Sequence, residues 1–410
     1  MRTQLKTLTL AAAAALTANA YAGNKELLDV LVKKGTISAE ERAKILEESK
    51  AKDVATNLDE VFAKEDAVKR LTFSGRVQVQ YEGMGYEETT AGGVTTQADS
   101  TSDFILRRMY LGAKADVGEG FSGELVWNFA DGSNGGEFDK AVFTAETSHG
   151  KWDIGYQKVQ WGQEENTSSS KLPAVERSLL TRYWAESNNG RRLGFGARHV
   201  GVHYSNKQVL GEGGQGTLSY GLSIVRAEQN ANFSSNTSGR NDLANYGFVS
   251  VEWKPIGLTA GVNVARNENS GASGAVEEVD GLNPYLQWKS GDLTVLAEYI
   301  ETEVDGKDPH GYNLTGIYKL SDKIDVVARL SDIDTDGRGI KASDGLRNIG
   351  TTGTAGSTYN EADSLYLGVN YYFNKDNAKI QAGYEMADMT ATSGATADAD
   401  VFRVQVQILF

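Results

Sequence analysis

From Leu71 to the C-terminus, apolar and polar residues alternate with a period of two. Leu71, Phe73, Val77, Val79 and Tyr81 alternate with Thr72, Ser74, Arg76, Gln78 and Gln80. The pattern returns at Leu125, Trp127 and Phe129, at Ile324, Val326, Ala328 and Leu330, and at Leu365, Leu367, Val369, Tyr371 and Phe373. The last run sets Phe402, Val404, Val406, Ile408 and Phe410 against Arg403, Gln405 and Gln407. A period of two is the mark of strands with one apolar and one polar face. Sixteen such segments begin near residues 71, 103, 121, 138, 151, 192, 216, 243, 258, 279, 293, 308, 324, 363, 378 and 400.

The joins between segments alternate in length. Short ones such as Ser148-His149-Gly150, Ser290-Gly291-Asp292 and Ser321-Asp322-Lys323 have the chemistry of tight turns. Long ones cover roughly 82–102, 161–191, 229–242, 267–278, 334–362 and 387–399. Short turns at one end, long loops at the other and an even strand count predict a 16-stranded antiparallel transmembrane β-barrel over 70–410. Lipid offers no hydrogen bonds, so such a sheet must close on itself. A soluble sandwich would also alternate, but would not confine its long loops to every second join. Tyr81, Trp152, Trp161, Trp253, Trp288, Tyr299, Phe373 and Phe410 lie near segment ends and are expected to form aromatic girdles at the two interfaces.

The first 69 residues follow other rules. Arg2 and Lys6, the apolar stretch Leu8–Leu16 and Ala20-Tyr21-Ala22 have the order of a secretory signal peptide, 1–22. Residues 23–69 change to a period near 3.6. Leu27, Leu28 and Leu31 share a face, Gly35 stops the first helix, and Ser38 with Glu41 makes a capping box for a second. The apolar stripe is too thin to hold a lone helix in water. It predicts a periplasmic helical segment packed on copies of itself, such as a trimeric coiled coil, or on the next domain. With that end in the periplasm, the short turns are periplasmic and the long loops face outward.

Composition narrows the function. There are 46 Gly, 4 Pro, 4 His and no Cys, which excludes disulfide scaffolds and thiolate metal sites. The net charge of −14 argues against nucleic acid as a partner. With so few histidines, no Ser/His/Asp order suggests a hydrolase, so no enzyme is predicted. His199 and His203 stand about 13 Å apart along one strand, too far to share a metal, and are expected as lumen or turn polars. Asp332-Ile-Asp334-Thr-Asp336-Gly337 matches the first half of a calcium loop, but position twelve is Ser343 instead of Glu. A solvated acidic loop is the plainer reading, with loose calcium binding as the alternative.

The leader, Leu27-Leu-Asp-Val-Leu-Val-Lys-Lys-Gly-Thr-Ile-Ser38, Leu71-Thr-Phe-Ser-Gly-Arg-Val-Gln78, Leu106-Arg107-Arg108, Val175-Glu176-Arg177-Ser178-Leu179 and Gly190-Arg191-Arg192-Leu193-Gly194 resemble the phosphate-selective porin O and P family. The resemblance implies a homotrimeric sixteen-stranded channel in the outer membrane of a Gram-negative bacterium. It implies passage of small hydrophilic solutes, anions such as phosphate among them. It also implies that the third long loop, about 161–191, folds inward and narrows the pore. Carried over residue by residue, the anion path becomes Arg107, Arg108, Ser168, Ser169, Lys171, Arg177 and Arg191. Adjacent strand residues face opposite sides, so one of Arg107 and Arg108 is expected to face the lumen unless a bulge intervenes. Glu164, Glu165, Glu176 and Glu186 share the loop and depart from what an anion filter wants. Glu176 and Arg177 read equally as a structural pair or as part of the filter. Two other readings stay open: a general or cation-preferring porin, and a structural outer-membrane anchor carrying a periplasmic coiled coil.

Overall fold

The computed structural model describes residues 33, 38–40, 68–130, 136–186, 193, 195–227, 243–267, 278–349 and 358–410. The chain divides into two compact units, Met1–Lys69 and Arg70–Phe410. The leader and nearly all of the expected helical segment lie outside the described residues, as does Arg191.

The second unit is a closed antiparallel barrel. Its first eight strands are β1 (Arg70–Thr89), β2 (Thr95–Gly118), β3 (Phe121–Asn128), β4 (Glu137–Thr147), β5 (Gly150–Lys158), β6 (Arg198–Leu210), β7 (Gly216–Arg226) and β8 (Leu243–Trp253). The rest are β9 (Leu258–Asn267), β10 (Val279–Ser290), β11 (Leu293–Val304), β12 (His310–Ser321), β13 (Ile324–Asp334), β14 (Glu361–Asn374), β15 (Ala378–Thr390) and β16 (Thr396–Leu409). Each strand pairs with its neighbours in sequence, and β1 closes the ring on β16 with Val79 opposite Val406 and Gln80 opposite Gln405.

The alternation in the sequence sorts the two faces. On β16, Arg403, Gln405 and Gln407 are buried inside, while Phe402, Val406 and Ile408 are exposed outside. The outward belt of Leu, Val, Ile and Phe is what a bilayer requires, and the inward Gln, Arg and Glu are what a lumen allows. Trp152, Trp288, Phe373 and Phe410 are exposed on that outer surface. Trp161 is not: it is fully buried inside the barrel, against Phe195. Its place at a segment end suggested a girdle, but it opens the inward-folded loop.

Two of the expected long loops are strand. β1 and β2 pair as far as Thr89 and Thr95, and β15 and β16 as far as Thr390 and Thr396, leaving tight turns where 82–102 and 387–399 were expected. The outward residues there are acidic: Asp388 opposite Asp398, and Asp398 opposite Glu87. Directly opposed carboxylates are unfavourable in a sheet and tolerable only in water. These hairpins therefore extend past the apolar belt, and their polar outer face is what made them read as loops.

The lumen is not uniformly wet. The described parts of the β5–β6 connection (159–186, 193 and 195–197) and of the β13–β14 connection (335–349 and 358–360) enter it and bury apolar side chains there. Trp161, Leu179, Leu180, Tyr183 and Trp184 of the first pack with Ile340, Leu346 and Ile349 of the second. Wall residues Ile300, Val304, Ile333 and Met389 complete this core. Gly281 on β10 makes room: a Cβ there would lie 2.4 Å from the Trp161 ring.

Candidate functional site

The β5–β6 loop divides the lumen. One side is the core just described; the other faces a cavity of about 950 Å3 bounded by β1 to β6. The loop leaves the wall through Gly162, whose φ of 76° suits glycine. Two short helical turns follow, α1 (Gln163–Asn166) and α2 (Leu179–Trp184). The backbone N–H groups of Gln163 and Glu164 donate to Glu298 of β11. Ser178 caps α2 by accepting from the Thr181 N–H. Glu164 reinforces that cap: its Oε2 accepts from Ser178 N (2.9 Å), Ser178 Oγ (2.6 Å) and Thr181 Oγ1 (2.6 Å).

The far side of the loop is stitched to the wall through its own backbone. Gln407 donates to the Ser170 carbonyl (3.1 Å) and Gln381 to that of Leu172 (3.0 Å). Asn370 donates to the Pro173 carbonyl (3.0 Å), and Tyr366 Oη accepts from Val175 N (3.2 Å). Arg329, fully buried, donates to the Glu176 carbonyl (2.8 Å) and pairs with Glu164 (3.2 Å) and Glu385 (2.9 Å). Inward glutamines and asparagines thus act as donors for a loop that would otherwise leave buried carbonyls unmet.

The loop's other carboxylates are all committed. Glu165 pairs with Arg177 (2.8 Å) and Lys158 (2.5 Å). Glu176 takes both arms of Arg107 and lies 3.6 Å from Arg347. Glu186 pairs with Arg182 (2.7 Å) and Arg347 (2.9 Å). Glu176 and Arg177 are therefore not partners; they point to different neighbours. Burial alone would push Glu165 up, but Arg177 and Lys158 outweigh it and hold it below the usual carboxylate range. Burial likewise opposes ionisation of Glu176 and Glu186. Arg107 and Arg347 overcome this at Glu176, and Arg347 with Arg182 at Glu186.

These depressed values set a pH dependence. A carboxylate whose folded value lies below its unfolded one stabilises fully above the unfolded value, and loses that contribution as pH falls through the folded one. The three carboxylates should therefore hold the loop from neutrality down to about pH 4, near the unperturbed Glu value. Single-channel conductance of Glu298→Gln, which takes the carboxylate anchoring Gln163 and Glu164 out of the titration, should stay constant from pH 7 down to that point and change only in stronger acid. A rise in conductance already between pH 7 and 5 would contradict the assignment.

Arg107 and Arg108 both turn inward. The register passes from Gln78 opposite Arg108 to Val79 opposite Leu106, so Arg107 is the extra residue of a β-bulge. Arg107 reaches Glu176, while Arg108 donates to Gln78 (2.9 Å). Ser168 and Ser169 line the cavity and accept from Arg76 of β1, at 3.1 and 2.5 Å. The Arg76 guanidinium also lies 5.0 Å from the Tyr110 ring centroid. Arg177 lines the cavity, 7% exposed in its side chain, alongside Arg182, Arg198 and Arg347. Lys171 is exposed and is not among the cavity's lining residues. Arg76 and Arg347 were not singled out from sequence. Arg76 is legible afterwards as a basic residue on the polar face of the first strand. Arg347 carried no periodic signal.

Nine basic and five acidic side chains line the cavity among the described residues, against an acidic excess in the whole chain. Lys140 and Arg198 pair with Glu124 and Asp139. Arg76 and Arg108 are different. Neither has a carboxylate at ion-pair distance among the described residues; Asp139 acts on Arg76, and Glu176 on Arg108, only from beyond that distance.

The remaining candidates lie elsewhere. His199 is buried, with its ring nitrogens 2.7 Å from the Arg226 carbonyl and 2.9 Å from that of Gly196, and His203 Nδ1 lies 2.9 Å from Ser223 Oγ. Asp334 accepts from the Asp336 N–H (2.8 Å), Asp336 from the Asp308 N–H (2.9 Å), and Asp332 lies opposite Asp363 in the sheet. No group of three acidic or histidine side chains among the described residues is arranged to hold a metal ion.

A family model described as phosphate-selective porin O and P matches residues 75–410. No curated protein matches the sequence. Among solved structures, the fold resembles the anion-selective porin of Comamonas acidovorans at 14% identity, covering 83% of this chain and 99% of that one (TM-score 0.54). It resembles the outer membrane channel DcaP of Acinetobacter baumannii at 12% identity, covering 83% and 97% (TM-score 0.54). It also resembles the trimer form of OmpT, an outer membrane protein of Vibrio cholerae, at 15% identity, covering 83% and 99% (TM-score 0.51).

Proposed function

We propose that this chain, which belongs to the phosphate-selective porin O and P family, is an outer-membrane porin whose constriction favours small anions, phosphate among them. One observation carries the preference: every carboxylate of the β5–β6 loop has its cation, while Arg76 and Arg108 have no carboxylate at ion-pair distance among the described residues. In a narrow lumen with low-dielectric walls, a fixed charge acts on passing ions with little screening. A guanidinium beside serine hydroxyls supplies several donors to a tetrahedral oxyanion, and Arg76 with Ser168 and Ser169 is such a group.

The reading includes a homotrimer, supported by family membership and by the trimeric OmpT likeness. It also includes export by the 1–22 leader, with 23–69 as a periplasmic helical segment. Support for those two is the sequence pattern alone.

The test is the reversal potential of the purified protein in planar bilayers across a potassium chloride gradient. Chloride should be favoured, and added phosphate should reduce the chloride current. A reversal potential of cation sign would remove the anion preference and leave a general porin.

A further inference from the structure

The β13–β14 loop reaches the same constriction from the opposite side of the lumen. Its short helical turn α3 (Ala342–Gly345) packs on α2, and Arg182 donates to the Ser343 carbonyl (3.0 Å). Arg347 follows that turn. Its Nη2 lies 2.9 Å from Glu186 Oε2 and 3.1 Å from Oε1, and its Nε lies 3.6 Å from Glu176 Oε2. Its backbone is fixed as well: Arg403 donates to the Arg347 carbonyl (2.8 Å), and Asn348 donates to Glu82 (2.7 Å). The side chain is 27% exposed, and its open side lines the cavity.

We propose that Arg347 is a specificity-determining residue of the pore. It masks two carboxylates of the β5–β6 loop, so selectivity is set jointly by the two inward loops. The local charge count shows why. Among the described residues, Arg107, Arg182 and Arg347 surround Glu176 and Glu186, an excess of one positive charge. Without Arg347 the excess vanishes: Glu186 keeps Arg182 but loses its two-toothed partner on the cavity side. The field at the ion path becomes less positive, which disfavours anions and favours cations. The sign of the wild-type preference rests on the anion reading above, but the direction of this change does not.

Four variants measured in bilayers at about 0.1 M salt, where the Debye length is roughly 10 Å, test the assignment. Arg347→Gln should lower the anion-to-cation permeability ratio severalfold from the wild-type value. Adding Glu186→Gln to it should restore most of the ratio, because one negative charge leaves with the positive one and the local excess returns. Glu186→Gln alone, which raises the local positive excess by one, should raise the ratio. Arg338→Ala, on the same loop but paired with Asp305, should leave it unchanged. A purely structural role for Arg347 predicts a change in conductance with no change in ratio, and that result overturns the proposal. So does a double variant that fails to recover. If Arg347→Gln does not insert, an unchanged ratio in Glu186→Gln overturns it equally. A wild type that prefers cations sinks the anion reading yet leaves these shifts measurable.

Discussion

Replacing Arg329 by Ala is expected to release the β5–β6 loop from the barrel wall and raise single-channel conductance. This guanidinium is 1% exposed. It joins Glu164, Glu385 and the Glu176 carbonyl, and lies over the Tyr366 ring with its centroid at 5.1 Å. Removing one partner of a buried ion pair leaves the other charge without water or cation, at a cost of about 3–5 kcal/mol. Arg403, 3.7 Å from Glu385, offsets part of that loss on the wall side. Among the described residues no second cation pairs with Glu164, whose carboxylate also caps α2. The loss therefore falls on the loop itself. Conductance and the size cut-off for neutral polymers should both rise, while insertion of the sixteen-stranded wall should persist. An Arg329→Ala channel with wild-type conductance and cut-off would show that the backbone bonds to Gln381, Asn370 and Gln407 suffice to hold the loop.

How much of this was legible in the sequence differs by level. The strand register was, because a period of two leaves one choice of which face meets lipid: Val406 outside and Gln405 inside follow from it directly. The inward course of the β5–β6 loop came from family resemblance together with its length. Its anchoring was not legible, since the donors are inward glutamines and asparagines spread over β14, β15 and β16, whose roles appear only when the barrel closes. The bulge at Arg107 was named only as an exception to strand alternation, and it decides that both arginines enter the lumen. Arg177 drew attention through its motif, yet the structure gives it to Glu165. Arg347 was out of reach, because an irregular loop has no period to read. The extended hairpins at 82–102 and 387–399 show the same limit from the other side. Alternation was still present there, but an acidic outer face is not what a membrane strand should have.

The second large effect expected is on ion selectivity, from Arg76→Glu. Arg76 is half-buried on the inner face of β1, lines the cavity, and donates to Ser168 and Ser169. With no carboxylate at ion-pair distance among the described residues, and Asp139 acting only from farther off, its charge is offset less than that of a paired arginine. Reversing it changes the local field by two units, and the lining falls from nine basic and five acidic residues to eight and six. The reversal potential should move strongly toward cations at about 0.1 M salt, and the shift should shrink near 1 M as the Debye length falls to roughly 3 Å. Arg108→Gln should act in the same direction by about half, since it removes one unit and can keep an amide near Gln78. Arg177→Gln should do less than either. Its charge is already spent on Glu165, and Lys158 remains beside that carboxylate after the change. The order Arg76, Arg108, Arg177 in the measured shifts is what distinguishes the pairing of a charge from its mere position on the constricting loop. If Arg177→Gln moved the potential as far as Arg76→Glu, pairing would not be what silences a charge in this lumen, and the filter would lie on the loop.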